Sequence, residues 1–254
     1  MQDIIEELER RREAAKLGGG QERIDAQHAR GKLTARERVD VLLDQSSFEE
    51  WDIFVDHRST DFDLADYVVP GDGGVTGYGT INGRMVFVFS QDFTVFGGSM
   101  GEMHANKISK VVEMAERARV PIICIWDGGG QRAHDGVHSL AATGEMLDYF
   151  VSCSGRVPMI SLVLGPVVGV SALAAALADF VILGEKHGQL FLSSPLETEE
   201  TVSGELTTEE GGGAQMHASR SGICCLTASD EDAAALDDEG IEVQRIPWAP
   251  REDA

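Results

Sequence analysis

The sequence predicts an α/β fold, and three observations carry that expectation. Apolar, β-rich runs end in glycine turns, and helical patterns follow those turns. Asn82-Gly83 separates two such runs and reads as a tight hairpin. Ile122-Ile123-Cys124-Ile125-Trp126 is apolar throughout, as a buried strand is.

The elements follow in order. Residues 3–17 predict a helix with Ile4, Ile5 and Leu8 on one side. Gly18-Gly19-Gly20 ends it and reads as a hinge. Thr34-Ala35-Arg36-Glu37 fits a capping box opening a second helix. The core begins near Val75, with strands over 75–81 and 84–89. A helix is expected over 107–119, where Ile108, Val111, Val112 and Ala115 share a face. The strand over 122–126 runs into Asp127-Gly128-Gly129-Gly130, and a helix over 137–154 follows. A strand over 159–164 is expected to end at Gly165-Pro166. Then come a small-residue helix over 170–178 and strands over 180–183 and 189–192. Three segments result: a helical arm over 1–60, an α/β body over 61–236 and an acidic tail over 237–254.

Composition narrows the function. The 254 residues are 43% hydrophobic, enough for a substantial core, and no apolar run is long enough to span a bilayer. The N-terminus has no apolar signal core, so a cytoplasmic location and no membrane partner are expected. A net charge of −22 argues against nucleic acid. From Leu196 to Ala254 there are 15 acidic and 3 basic residues, read as a solvated face and tail, or as a dock for a basic partner. Cys124, Cys153, Cys224 and Cys225 form no CxxC pair and read as reduced structural thiols.

Two turns are candidates for chemistry: Asp127 to Arg132, and Gly165 to Ser171. Each follows a strand and opens a helix, so its spare N–H groups could stabilise an oxyanion. A tight strand-to-helix reversal alone would also account for either turn. Phe96-Gly97-Gly98 lets a ligand approach the backbone closely. GxGxxG and P-loop spacings are absent. His134 and His138 lack a third ligand, so no metal site is expected. Ser99 and Ser171 lack a His/Asp set. Arg132 reads equally as an anion ligand and as a structural ion pair.

Taken together, these segments resemble the carboxyltransferase β chain of biotin-dependent acyl-CoA carboxylases, of the propionyl-CoA carboxylase type. The resemblance covers roughly residues 22 to 228. It runs through Arg23 to His28, Gly31 to Arg38, Pro70-Gly71-Asp72, Ile81 to Arg84 and Phe89 to Ser99. It ends with Glu210 to Ala214 and Ser221-Gly222. It implies a crotonase-like fold (ClpP/crotonase) of repeated ββα units. It also implies an acyl-CoA substrate and carboxybiotin on a partner carrier protein. Backbone amides would stabilise an enolate, with no metal in this chain. The catalytic candidates are Gly129, Gly130, Gly169 and Val170. The substrate-binding candidates are Lys32, Arg36, Phe96, Gly97, Gly98, Arg132 and Ser171.

Two departures from the family pattern matter. The family chain has two related halves, and this sequence resembles the first. A separate second-half carboxyltransferase subunit, biotin carboxylase and biotin carrier protein are the expected partners, in a homo- or hetero-oligomer. The family's Asp-Ser-Gly-Gly-Ala-Arg turn falls on Asp127 to Arg132, with Gly128 for Ser and Gln131 for Ala. Its Gly-Pro-Cys-Ala-Gly-Gly turn falls on Gly165 to Val170, with Val167-Val168 for Cys-Ala and Val170 for the last glycine. A Gly-Pro after the next strand becomes Ser194-Pro195. Valine resists positive φ and crowds a ligand, so an altered acyl substrate or lost catalysis is expected. Two other readings stand beside this one. One is a stand-alone crotonase-type decarboxylase or hydratase using His134, Asp135 or Glu145. The other is a non-catalytic structural subunit.

Overall fold

The computed structural model describes residues 1–193 and 207–229. Ser194-Pro195 and the expected tail over 237–254 lie outside the described residues. The chain forms helices α1 (Gln2–Lys16), α2 (Gln21–Ala29) and α3 (Ala35–Leu42), then strands β1 (Glu49–Trp51), β2 (Gly74–Ile81) and β3 (Arg84–Gln91). Next come α4 (Glu102–Ala118), β4 (Ile122–Gly128), α5 (Gly136–Cys153), β5 (Met159–Val168) and α6 (Val170–Ala176). β6 (Phe180–Gly184) and β7 (Gln189–Phe191) follow; after three short helical segments over 208–221 comes β8 (Leu226–Ala228).

The strands form one mixed sheet in the order β1-β2-β3-β4-β5-β6-β8, with β7 added beside β5. β1, β2 and β3 pair antiparallel, and β3 onward pair parallel. The Asn82-Gly83 hairpin forms as expected, with φ +51° and +75° at its two central residues. Asp44 fastens it by accepting the Asn82 and Gly83 N–H groups at 2.9 and 2.8 Å. Those bonds hold the Asp44 carboxyl below its ordinary value, the Thr80 hydroxyl contributing most.

Alternation along the strands sorts the core into two layers. Phe87, Phe89, Cys124, Trp126 and Met159 face α4, α5 and α6. Val86, Val88, Ile123, Ile125, Ile160 and Leu162 face the other way, toward Ala35, Val39 and Leu42 of α3 and Leu43 just after it. Trp126 keeps its indole N–H satisfied by donating to Ser161 Oγ at 3.0 Å.

Several elements depart from the sequence expectation, each for a tertiary reason. β5 does not stop at Gly165-Pro166; it runs to Val168, pairing Pro166 through Val168 with β7. The reversal falls instead at Gly169, φ +69°. α4 starts at Glu102 rather than near residue 107, because Asp135 caps it from a distant turn, accepting the Glu102 N–H at 2.9 Å. The glycine run after α1 is docked rather than a free hinge: Gly19 donates to Thr94 Oγ1 at 3.0 Å, and a Cβ on Gly19 would collide with the Thr94 carbonyl. α3 and β1, inside the expected arm, pack on and extend the sheet. The capping box forms as read, with Glu37 N–H to Thr34 Oγ1 and Thr34 N–H to Glu37.

Candidate active site at the strand ends

Parallel β3, β4 and β5 bring their C-terminal ends to one edge of the sheet. Three turns meet there: 96–100 after β3, 127–132 at the end of β4 and 168–171 at the end of β5. The first two are in van der Waals contact. A Cβ on Gly98 would collide with the Asp127 carbonyl and lie 2.8 Å from Gly128 Cα. The last two are neighbours as well, since Gly128 pairs with Val167. A Cβ on Gly130 would lie 3.4 Å from Val168 Cβ.

The turns' amides divide into committed and spare groups. Gly129 N–H donates to the Gly97 carbonyl at 3.1 Å, and Gly169 N–H to the Phe191 carbonyl at 2.8 Å. Gly130 carries φ +93°, and among the described residues its N–H has no acceptor. The N–H groups of Val170 and Ser171 open α6 and also lack one, as first-turn amides do. So each pair of catalytic candidates contributes one spare donor. Val170 is absent from the positive-φ residues. The strain expected of a valine there does not arise; Gly169 carries the left-handed conformation instead. Gly97 and Gly169 face open space, with nothing within 4 Å of an added Cβ. Ser171 is buried just behind the second turn.

The charged candidates hold the scaffold. Lys32 is buried and grips Asp127, with Nζ at 2.8 and 2.6 Å from its two oxygens; Arg38 reaches the same carboxylate at 2.8 Å. Arg36 forms a bidentate pair with Glu50 at 2.6 and 2.7 Å. It lines a cavity of about 640 Å³ shared with Arg12, Lys16, Leu43, Phe48 and Phe54. Arg132 is 1% exposed; its guanidinium pairs with Asp72, donates to the Ser99 carbonyl at 3.1 Å and stacks over Phe96 at 4.6 Å. Of the two roles open for Arg132, the geometry takes the structural ion pair.

The acid–base candidates are dispersed. His134 is exposed, edge-on to Phe62 at 5.5 Å, and Glu145 is exposed on α5. Asp135 is the α4 cap. Among the described residues no group of three or more His, Cys, Asp or Glu is placed to hold a metal.

Sequence reasoning missed the supports of the turns. Met100 N–H donates to the Gly130 carbonyl at 2.7 Å, and its own carbonyl takes Arg132 N–H at 3.0 Å. Gln91 Oε1 accepts the Asp127 N–H at 3.0 Å. Gln131 spans to α5: Nε2 donates to Thr143 Oγ1 at 2.6 Å, and Oε1 accepts from Ser139. Lys107 is buried, donating to the Gly71 and Gly74 carbonyls at 3.0 and 2.5 Å, and burial pulls its ammonium down to about 8. No periodicity signals any of these. The Pro70-Gly71-Asp72 motif marked the loop that Lys107 holds.

Comparison with known proteins identifies the architecture. A model of the carboxyl transferase domain matches residues 26–238. The chain belongs to the carboxyl transferase domain family. The propionyl-CoA carboxylase beta chain of Roseobacter denitrificans is 48% identical over 252 residues, covering 99% of this chain and 49% of the relative. The methylmalonyl-CoA decarboxylase subunit alpha of Veillonella parvula is 44% identical, covering 91% of this chain and 46% of its own. A solved transcarboxylase 12S hexamer, with methylmalonyl-coenzyme A bound, superposes with TM-score 0.90 at 41% identity, covering 92% of this chain and 46% of that one. The carboxyl transferase chain thus has the crotonase-like fold that its motifs implied. It spans about half the length of these relatives.

Proposed function

We propose that this chain is the acyl-CoA-binding half of a biotin-dependent carboxyltransferase, moving a carboxyl group between carboxybiotin and the α-carbon of an acyl-CoA. One observation carries the reading beyond family membership. Two adjacent turns at the strand ends each present a spare N–H, Gly130 and Val170, beside backbone at Gly97 and Gly169 that is open to a ligand. An acyl-CoA thioester losing its α-proton places negative charge on its carbonyl oxygen; that proton would pass to the ureido nitrogen that biotin regains on giving up its carboxyl group, so this chain need supply no side-chain base. Fixed amides aimed at that oxygen stabilise it without reorganising. Carboxybiotin, when bound, supplies the activated carboxyl group. The chain's own part is to hold the thioester and its enolate; no side-chain nucleophile is required.

The second half of the site is assigned to a partner subunit. α5 exposes Val137, Leu140 and Val151, and Leu173 of α6 and Leu177 just after it are exposed as well. An apolar face of that kind suits a protein interface beside the turns. The alternative of a stand-alone decarboxylase or hydratase needs a general acid or base beside the turns. His134 and Glu145 are exposed and Asp135 is committed as a cap, so the partnered reading is preferred.

The test mixes this chain with the second half of a homologous β chain and follows label from a carboxylated biotin carrier into propionyl-CoA. Transfer by the mixture and none by either half supports the reading. Turnover of an acyl-CoA by this chain alone favours the stand-alone enzyme. Assembly without ester binding favours a structural subunit.

A further inference from the structure

Among the described residues the Gly130 N–H has no acceptor, so its direction is set by its neighbours. The peptide before it is pinned by Gly129 N–H to the Gly97 carbonyl at 3.1 Å, and the peptide after it by Met100 N–H to the Gly130 carbonyl at 2.7 Å. Both pins belong to the Phe96–Met100 segment. In that segment Phe96, Gly97 and Gly98 take φ +49°, +65° and +67° in succession. A phenylalanine resists that region of backbone space, so the conformation persists only where the surroundings impose it.

Arg132 imposes it. Its guanidinium lies 4.6 Å over the Phe96 ring, while His57 and Tyr67 meet the same ring edge-on at 5.8 and 5.5 Å. Nη2 donates to the Ser99 carbonyl at 3.1 Å, and the Arg132 backbone N–H donates to the Met100 carbonyl at 3.0 Å. Nη1 pairs with Asp72, which also receives the His104 N–H at 3.0 Å. Gly101 leaves the space: a Cβ there would collide with Arg132 and Asp135. Planarity, stacking and a forked set of donors are all in use, which an ammonium would not reproduce.

We propose that Arg132 is a positioning residue: anchored on Asp72, it locks the Phe96–Met100 segment, and that segment aims the Gly130 N–H at the developing oxyanion. This rests on the reading of Gly130 as an oxyanion donor. It takes Arg132 out of the ligand-binding set and makes Phe96 its support.

Arg132→Lys keeps a cation opposite Asp72 but loses the stack and the fork. Amide hydrogen exchange on the full chain reads the geometry with no ligand present. Exchange at Gly129 and Met100 should be about tenfold faster than in the parent, with Ile123 and Ile125 of β4 unchanged. Calorimetry then compares free CoA with a CoA-linked nitronate, which carries an oxyanion where the enolate would. Nitronate affinity should fall by roughly 10- to 100-fold while CoA affinity holds. Unchanged exchange at Gly129 and Met100 overturns the proposal, as does an equal loss of CoA and nitronate affinity. If Arg132→Lys does not fold, Asp72→Asn carries the same comparison. If the parent binds neither compound, the proposed function fails, and the exchange result still decides whether Arg132 locks the segment.

Discussion

Gly129 donates its N–H to the Gly97 carbonyl at 3.1 Å, so the turn after β4 and the turn after β3 are one structural unit. Gly97 and Gly98 share a left-handed backbone but differ in surroundings. At Gly97 an alanine meets open space, so only the backbone penalty applies, about 1–2 kcal/mol. At Gly98 an alanine also collides with the Asp127–Gly128 backbone, and the loss should reach about 2–5 kcal/mol. Urea denaturation of the two variants checks the order; equal losses would mean the turns are not in contact.

Lys32→Met should be strongly destabilising. Lys32 and Asp127 are 5% and 1% exposed, and removing one partner of a buried pair costs about 3–5 kcal/mol. Arg38 remains at 2.8 Å and should hold the loss near the lower end. Chemical denaturation reads this directly. A stable Lys32→Met variant that had lost only ester affinity would return Lys32 to a substrate-binding role.

Stability should fall on acidification through His104. Burial, helped by the charges of Arg132 and Lys107, pushes its ring from the ordinary 6.5 down to about 3. Between those values the unfolded chain takes up a proton that the folded chain refuses. The unfolded state therefore gains as pH falls, with a slope of up to about 1.4 kcal/mol per pH unit. His104→Leu removes this group. Between pH 7 and pH 5 the parent should lose about 2 kcal/mol more than the variant. Parallel acid profiles would show that His104 does not titrate this way.

Val170→Gly should lower stability by about 1 kcal/mol, because Val170 opens α6 without positive φ and glycine adds chain entropy there. Free CoA should bind as before, and the preference among esters should move toward bulkier acyl groups. A gain in stability would reveal strain that the backbone angles do not show.

The parts of this fold legible in the sequence are those written in short local patterns. The Asn82-Gly83 hairpin, the Thr34–Glu37 box and the strand–turn–helix order are each decided within a few residues. What stayed illegible is decided across the chain. The start of α4 depends on a carboxylate 33 positions away, and the last residues of β5 depend on β7. The site divides in the same way. Glycine patterns located both turns, but which N–H groups are spare follows from Gly97 and Phe191 accepting two of them. The charged candidates fared differently because spacing cannot show a partner. The sequence left Arg132 open between an anion ligand and an ion pair and offered Lys32 for substrate, and in the fold the two are buried against Asp72 and Asp127.

The most direct measurement is calorimetric titration of this chain with acetyl-, propionyl- and malonyl-CoA. The account predicts saturable binding of at least one ester by this chain without any partner. Failure of all three esters to bind would contradict it.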